Sequence, residues 1–293
     1  VFHQKERYIH HLFFKAQPKN IQMITMGNSY GYINLDFDMM PVPAFHLSNT
    51  GEDIFETKYK YCYYVNYLNN LKWIILPVYY YQLFFDNSSH SKKRFEHRTV
   101  IYHSIKQKAV IDNDIYLHKL LIDVYAYFKK SPPIETLGLD FGVDGTNTLI
   151  DSSVDKIWDK NELDFAVDNK VIPALNRMID VMLSNDVTIH SRAKRAFEHI
   201  VKDAVKRNIN VLLIIPPFYE RFAEKYRNDQ KEITFNFCAY LKERYEQVTF
   251  YDFSVVNGLT NNHRFFRDVD HLNRAGRDKF TKLLIETIFT SGN

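Results

Sequence analysis

Ile21-Gln22-Met23-Ile24-Thr25-Met26-Gly27-Asn28-Ser29-Tyr30-Gly31 is an apolar run that empties into a glycine-bounded turn. The run is short and carries β-branched residues at Ile21, Ile24 and Thr25, which predicts a strand over 21–26. Gly27, Asn28 and Ser29 then supply turn chemistry. Ser29 is thereby expected at a strand-to-helix junction, where its hydroxyl stands at the positive end of a helix and its own N–H can face a developing oxyanion. A phosphate-binding turn is excluded, because the glycines fall as G-x-x-x-G and no Gly-Lys-Ser/Thr follows.

Four more segments share the character of the first: 44–48, 73–80, 210–215 and 248–253. Helical spacing of apolar residues separates them, over 53–71, 191–207 and 274–289, with Glu52 and Asp53 expected to place acid in the first turn of one helix and Asn273 to cap another. Strands alternating with helices predict an α/β fold with a parallel sheet covered on both faces. Right-handed crossovers put every strand's C-terminal end on one edge, where open α/β sheets bind ligands. Ser29 follows the first strand and His271 follows the fifth, so both belong to that edge.

Residues 86 to about 188 break the alternation. A helix over 115–130, a Ser131-Pro132-Pro133 stop, a Gly/Asp-rich loop over 137–147 and a helix over 170–184 make this stretch a largely helical insertion after the third strand. It is expected to pack near the active edge of one domain spanning 1–293. Asp140, Asp144 and Asn147, flanking Gly142 and Gly145, lack the spacing of a calcium loop and fit an ordinary turn. Lys92-Lys93-Arg94 reads as a solvated face.

Composition narrows the function. The net charge of +3 is too small for a nucleic-acid binder, and no arginine stripe with interleaved aromatics occurs. Cys62 and Cys238 exclude a disulfide framework and a multi-cysteine metal site, leaving two thiols or one bridge. No His-x-x-x-His or His/Glu pairing falls on one helix face, so neither a metal nor another cofactor is expected. No run of 18 apolar residues spans a membrane. The chain begins at Val1, which leaves room for a removed signal peptide or N-terminal membrane anchor.

The chemistry is carried by two blocks. A serine nucleophile needs a base, and the base needs a group that fixes its tautomer. Asp268-Val269-Asp270-His271-Leu272-Asn273 supplies both, with Asp268 or Asp270 as the orienting acid, on a loop ahead of the last helix. His263 has no serine placed against it and reads as a surface residue.

These blocks resemble those of the SGNH or GDSL-type hydrolases. Gly27-Asn28-Ser29 is similar to the family's Gly-Asp-Ser nucleophile block, with Asn for Asp. Leu47-Ser48-Asn49-Thr50-Gly51 resembles the block whose glycine N–H joins the oxyanion hole. Asp268-x-x-His271, continuing as Leu-Asn-x-x-Gly276, matches the acid-and-base block and favours Asp268 over Asp270. The resemblance implies a flavodoxin-like three-layer α/β/α sandwich with strand order 2-1-3-4-5, covering the chain outside the insertion. It implies Ser29 as nucleophile, His271 as base, Asp268 as orienter, and Ser29 and Gly51 as oxyanion donors.

One family block is absent. Where Gly-x-Asn-Asp is usual after the third strand, this chain reads Pro77-Val78-Tyr79-Tyr80-Tyr81-Gln82-Leu83, and Gln82 or a tyrosine hydroxyl such as Tyr81 is the stand-in for the Asn donor. The same absence occurs in relatives that acylate cell-envelope polymers. The expectation is therefore a carbohydrate-directed esterase or O-acetyltransferase of a bacterial envelope, acting on an acylated glycan. The alternatives are a non-catalytic glycan-binding or assembly protein on the same scaffold, and hydrolysis of lipid or thioester substrates.

Overall fold

The computed structural model describes residues 2–86, 158–185 and 187–290. Its centre is a five-stranded sheet built from β1 (Met23–Thr25), β2 (Ala44–His46), β3 (Trp73–Pro77), β4 (Asn210–Ile215) and β5 (Val248–Asp252). All neighbours are parallel, in the order β2-β1-β3-β4-β5. The five strands fall inside the five predicted segments. Four paired stretches are shorter than predicted because the chain continues extended past the ladder: Met26 N–H bonds Ile75 O, Leu47 N–H bonds Thr25 O, Val78 N–H bonds Ile214 O, and Phe253 N–H bonds Ile215 O.

Ile24, Ile74, Ile75, Leu76 and Val211 to Ile215 are buried whichever way they point. Successive strand side chains face opposite sides, so helices must cover both faces. On one side α1 (Phe2–Lys15) meets α3 (Ile54–Tyr64) through Phe13 against Tyr64, and Phe14 stands edge-on to Tyr67 in the 3-10 turn that follows α3. Beyond a short helix α4 (Lys160–Ala166), a π turn (Val167–Val171) and α5 (Ile172–Asn185), α6 (Ile189–Lys206) lies along α3. Its stripe of Ala193, Ala196, Phe197, Ile200 and Ala204 is buried. Alanines let two helices approach closely, which suits a helix wedged between a sheet and a neighbour. After α7 (Glu220–Lys225), α8 (Asn228–Arg244) continues the layer, Phe237 standing edge-on to Phe197. The last helix, α9 (Arg274–Ile285), packs Phe280 against Phe253. This is an α/β protein whose layering is compatible with a three-layer sandwich.

The start of α3 differs from the expectation. Asp53 is its N-cap, accepting from the N–H groups of Phe55 and Glu56, while Glu56 returns a bond to Asp53 N–H. That is a capping box, and it satisfies otherwise orphaned donors. Glu52 does not sit in the first turn; it pairs with Lys60 inside the protein. Of the proposed insertion, residues 87–157 lie outside the described residues, including the helix over 115–130, the loop over 137–147 and Lys92-Lys93-Arg94. The helix expected over 170–184 is α5. Cys62 and Cys238 are free thiols, and among the described residues no helix is long and apolar enough to cross a membrane.

The short helix α2 (Tyr30–Ile33) follows Ser29 and is a single turn. Gly31 explains its position. A Cβ there would stand 2.1 Å from Ser48 Oγ and 2.9 Å from Ser48 Cβ, so only glycine lets α2 lie against the end of β2. Gly31→Ala is expected to lower stability by about 1–3 kcal/mol, read as a urea midpoint shift. Adding Ser48→Ala should recover part of the loss, because it removes the nearer of the two clashing atoms. Equal midpoints for Gly31→Ala and wild type would contradict this packing.

Candidate active site

The turn over 27–31 is fixed by one left-handed glycine and two side-chain hydrogen bonds to its backbone. Gly27 takes φ of +118°, Asn28 Oδ1 accepts from Tyr30 N–H, and Thr25 Oγ1 donates to Gly31 O at 2.7 Å. Ser29 therefore has no capping duty, and its side chain makes no bond to the helix it precedes. With only one turn behind it, Ser29 gains little from a helix dipole, contrary to the sequence expectation. Its hydroxyl points elsewhere: Ser29 Oγ lies 2.7 Å from His271 Nε2.

His271 is held on a closed loop. Phe266 and Leu272 form an antiparallel bridge, and Arg267 N–H bonds His271 O. At the tip, Asp268 Oδ1 accepts from the backbone N–H groups of Asp270 and His271 at 3.1 and 2.8 Å. The Asp268 carboxylate also lies 2.9 and 3.1 Å from His271 Nδ1. An ionised carboxylate only accepts, so Nδ1 carries the hydrogen and Nε2 presents its lone pair to Ser29 whenever the ring is neutral. Serine, histidine and aspartate thus form a continuous chain in the order the resemblance implies.

Side chains on the loop that follows α2 draw the two ends of the sequence together. Asn34 Oδ1 accepts from Leu272 N–H at 3.0 Å, next to His271. Arg277 pairs with Asp36 at 3.0 Å with both groups largely buried, and Thr281 Oγ1 accepts from Asp36 N–H. Asn273 caps α9 by accepting from Gly276 N–H, and a Cβ at Gly276 would meet Phe265 O at 2.3 Å. The Leu-Asn-x-x-Gly continuation is therefore the packing joint that presents the His271 loop.

A second carboxylate reaches the same imidazole. Asp270 Oδ1 lies 3.1 Å from His271 Nδ1, and Tyr30 donates its hydroxyl to Asp270 Oδ2 at 2.5 Å. The Tyr30 ring stacks on the imidazole, centroids 5.0 Å apart and planes 25° apart. Sequence reasoning assigned Tyr30 no role and treated Asp270 as an alternative to Asp268. The geometry uses both acids. Asp268, Asp270 and His271 also have donor atoms within 4.8 Å of one another, as a metal site requires. Here the ring nitrogen that faces the carboxylates is the one bearing hydrogen, so a proton accounts for the cluster.

Charge follows the geometry. Burial alone would favour a neutral ring, but Asp270 and Asp268 outweigh it and hold the His271 pKa well above the ordinary histidine value. Burial likewise pushes Asp268 upward, and the His271 charge and hydrogen bonds overcome it, holding the carboxyl well below its usual range. Tyr30 is pushed well above the ordinary phenol value by burial and then by Asp270, so it stays a donor. The contribution of His271 to stability is therefore complete below its unfolded pKa and fades as pH rises through the raised one. That of Asp268 is present above its unfolded pKa and fades as pH falls through the lowered one.

The expected oxyanion donors are placed unequally. Among the described residues nothing accepts from the Ser29 backbone N–H. Gly51 adopts φ of +69° and is exposed with Thr50 at the tip of an otherwise buried loop, which Asn49 N–H ties to Gly27 O at 2.9 Å. Gln82 is buried at the start of a 3-10 turn after β3, with Oε1 unpartnered and no bond to Ser29 or His271. Tyrosines occupy the space beside the site: Tyr79 packs against Tyr30 at 5.5 Å and against Tyr81 at 4.4 Å. Near the His271 loop, Trp158 Nε1 donates to Arg267 O and Tyr219 donates to Asp164, so the described end of the 86–188 stretch reaches this edge.

The chain matches no protein-family model and no curated protein.

Proposed function

We propose that this protein is a serine acyl hydrolase or acyltransferase of SGNH type, with its sandwich fold, acting on an acylated carbohydrate. The observation that carries the reading is the unbroken chain Ser29 Oγ, His271 Nε2, His271 Nδ1 and Asp268, with hydrogen-bond distances of 2.7 and 2.9 Å. Neutral His271 takes the Ser29 proton as Oγ attacks the acyl carbonyl. The tetrahedral oxyanion is met by the Ser29 and Gly51 N–H groups, with Gln82 or Tyr81 in the place of the absent Asn. Collapse breaks the ester C–O bond, His271 returns its proton to the leaving alkoxide, and Ser29 keeps the acyl group. Water or a sugar hydroxyl then attacks, giving up its proton to His271, which passes it to Ser29 as the acyl group departs.

The substrate class rests on the tyrosine-filled loop after β3, which shares its missing Asn with SGNH members that acylate envelope polymers. The same argument suggests an extracytoplasmic bacterial setting. A fluorophosphonate probe tests the chemistry: intact-mass analysis should show one adduct, mapped to Ser29 and absent in Ser29→Ala. Equal labelling of the two proteins would remove the proposal.

The position of Gln82, which makes no bond to the nucleophile, favours one other reading. A non-catalytic glycan-binding protein on this scaffold would bind glycan equally well with Ser29→Ala and His271→Ala, and would form no adduct.

A further inference from the structure

Asp268 and Asp270 both approach His271 Nδ1, but they meet it differently. Asp268 accepts an aligned hydrogen bond from the ring and is anchored by two backbone N–H groups. Asp270 stands at 3.1 Å as an ion-pair partner. Its other oxygen is taken by the Tyr30 hydroxyl, and Tyr30 follows the nucleophile directly in sequence. The Asp270 carboxylate is thus locked in place by the element that carries Ser29. It is also well sheltered, with 19% of its side chain exposed against 38% for Asp268.

We propose that Asp270, clamped by Tyr30, is a positioning residue that serves as the fixed counter-ion of the His271 imidazolium, while Asp268 sets the tautomer. The proposal rests on the hydrolase reading for its catalytic meaning, and on the geometry alone for its electrostatic one.

The groups that face His271 among the described residues are few. They are Ser29 and Tyr30 from the nucleophile turn, and Asp268 and Asp270 from its own loop. Arg267 lies 3.8 Å from Asp268, and Tyr81 acts on Tyr30 from beyond β3. Two carboxylates therefore outnumber the one cation. A cationic ring cannot take the serine proton, so the resting base must first lose a proton to solvent. Activity is expected to rise with pH along a limb that follows the titration of His271. Once Ser29 attacks, the same two charges stabilise the imidazolium that forms. The arrangement trades activity at low pH for a stronger base at high pH.

Removing the Asp270 charge should reverse that trade. In Asp270→Asn the limb of kcat/KM for 4-nitrophenyl acetate is expected to move to lower pH by about one pH unit. The plateau should fall as well, because a base of lower pKa drives proton transfer less. The two profiles cross, with the variant the more active below the crossing. A residue needed only for folding gives no such gain. Tyr30→Phe keeps the charge and removes the clamp, so its plateau falls with a smaller displacement of the limb.

The deciding measurement is the NMR titration of the His271 ring in labelled protein, assigned by the signal lost in His271→Gln. The titration midpoint is expected above the ordinary histidine value in wild type and lower in Asp270→Asn. An unmoved midpoint in a folded Asp270→Asn protein overturns the counter-ion. Loss of the folded spectrum in both Asp270→Asn and Tyr30→Phe assigns the pair a structural task and overturns it too. If the midpoint moves but wild type forms no acyl-enzyme, the hydrolase reading falls and the counter-ion remains. If acyl-enzyme forms and the midpoint does not move, the counter-ion falls and the hydrolase reading remains.

Discussion

Alanine at position 29 is expected to lower kcat/KM for 4-nitrophenyl acetate by about 10³-fold or more, measured on the high-pH side of the His271 titration, where the ring is neutral. No neighbouring hydroxyl can substitute, because Ser29 Oγ is the atom bonded to His271 Nε2. His271→Ala should cost a similar factor, since the serine then loses the acceptor for its proton. The double variant Ser29→Ala/His271→Ala should be no worse than either single one. Groups that act on one proton transfer are lost together, so their effects do not add. Asp268→Asn keeps the shape of the loop but offers Nδ1 an amide in place of a carboxylate, which permits the wrong tautomer. It should fall between wild type and Ser29→Ala. Additive losses in the double variant would mean that Ser29 and His271 work separately. Unchanged turnover in Ser29→Ala would end the serine mechanism.

The strands were legible because each is a short, bounded apolar run, and a sheet buried on both faces demands such runs. The Gly27-to-Gly31 turn and the Asp268-to-Gly276 segment were legible because their small and polar residues perform local tasks: Asn28 accepts from Tyr30, Asp268 from His271, and Asn273 from Gly276. What joins the two segments was not legible. Asn34 to Leu272 and Asp36 to Arg277 are single side-chain contacts across some 240 residues, and no periodicity reports them. Helix α8 was legible only as a helix-like stretch around Cys238, without bounds, because it mixes Phe235, Phe237 and Tyr240 with charges on several sides, and only a few of its residues are buried. Helix α1, by contrast, carried a usable signal in Ile9, Leu12 and Phe13, whose spacing places them on one buried face. Glu52 was misread for a related reason. A carboxylate ahead of a helix looks like dipole compensation until a distant turn of the same helix brings Lys60 onto it.

Lys60→Met should be the most destabilising of the structural substitutions, at about 3–5 kcal/mol. Lys60 Nζ lies 2.8 Å from Glu52 Oε2, and neither side chain has any exposure. Thr57 Oγ1 donates to the other Glu52 oxygen at 2.9 Å. Methionine nearly preserves the volume and the stem packing, so the loss comes from stranding a buried carboxylate, not from a cavity. Glu52→Gln/Lys60→Met should therefore recover much of it, since an uncharged pair no longer carries the desolvation penalty of an unmatched ion. Urea midpoints at constant slope would measure both. A single variant within about 1 kcal/mol of wild type would show that Glu52 takes up a proton or another cation instead. The consequence extends to the candidate site, because Glu52 follows Gly51 and its backbone carbonyl accepts from the Tyr79 hydroxyl beside Tyr30. If Gly51 N–H receives the oxyanion, loosening this anchor misplaces a donor that matters most in the transition state. Lys60→Met should then lose kcat under conditions where it remains folded, with KM little changed, and the double variant should regain kcat along with stability.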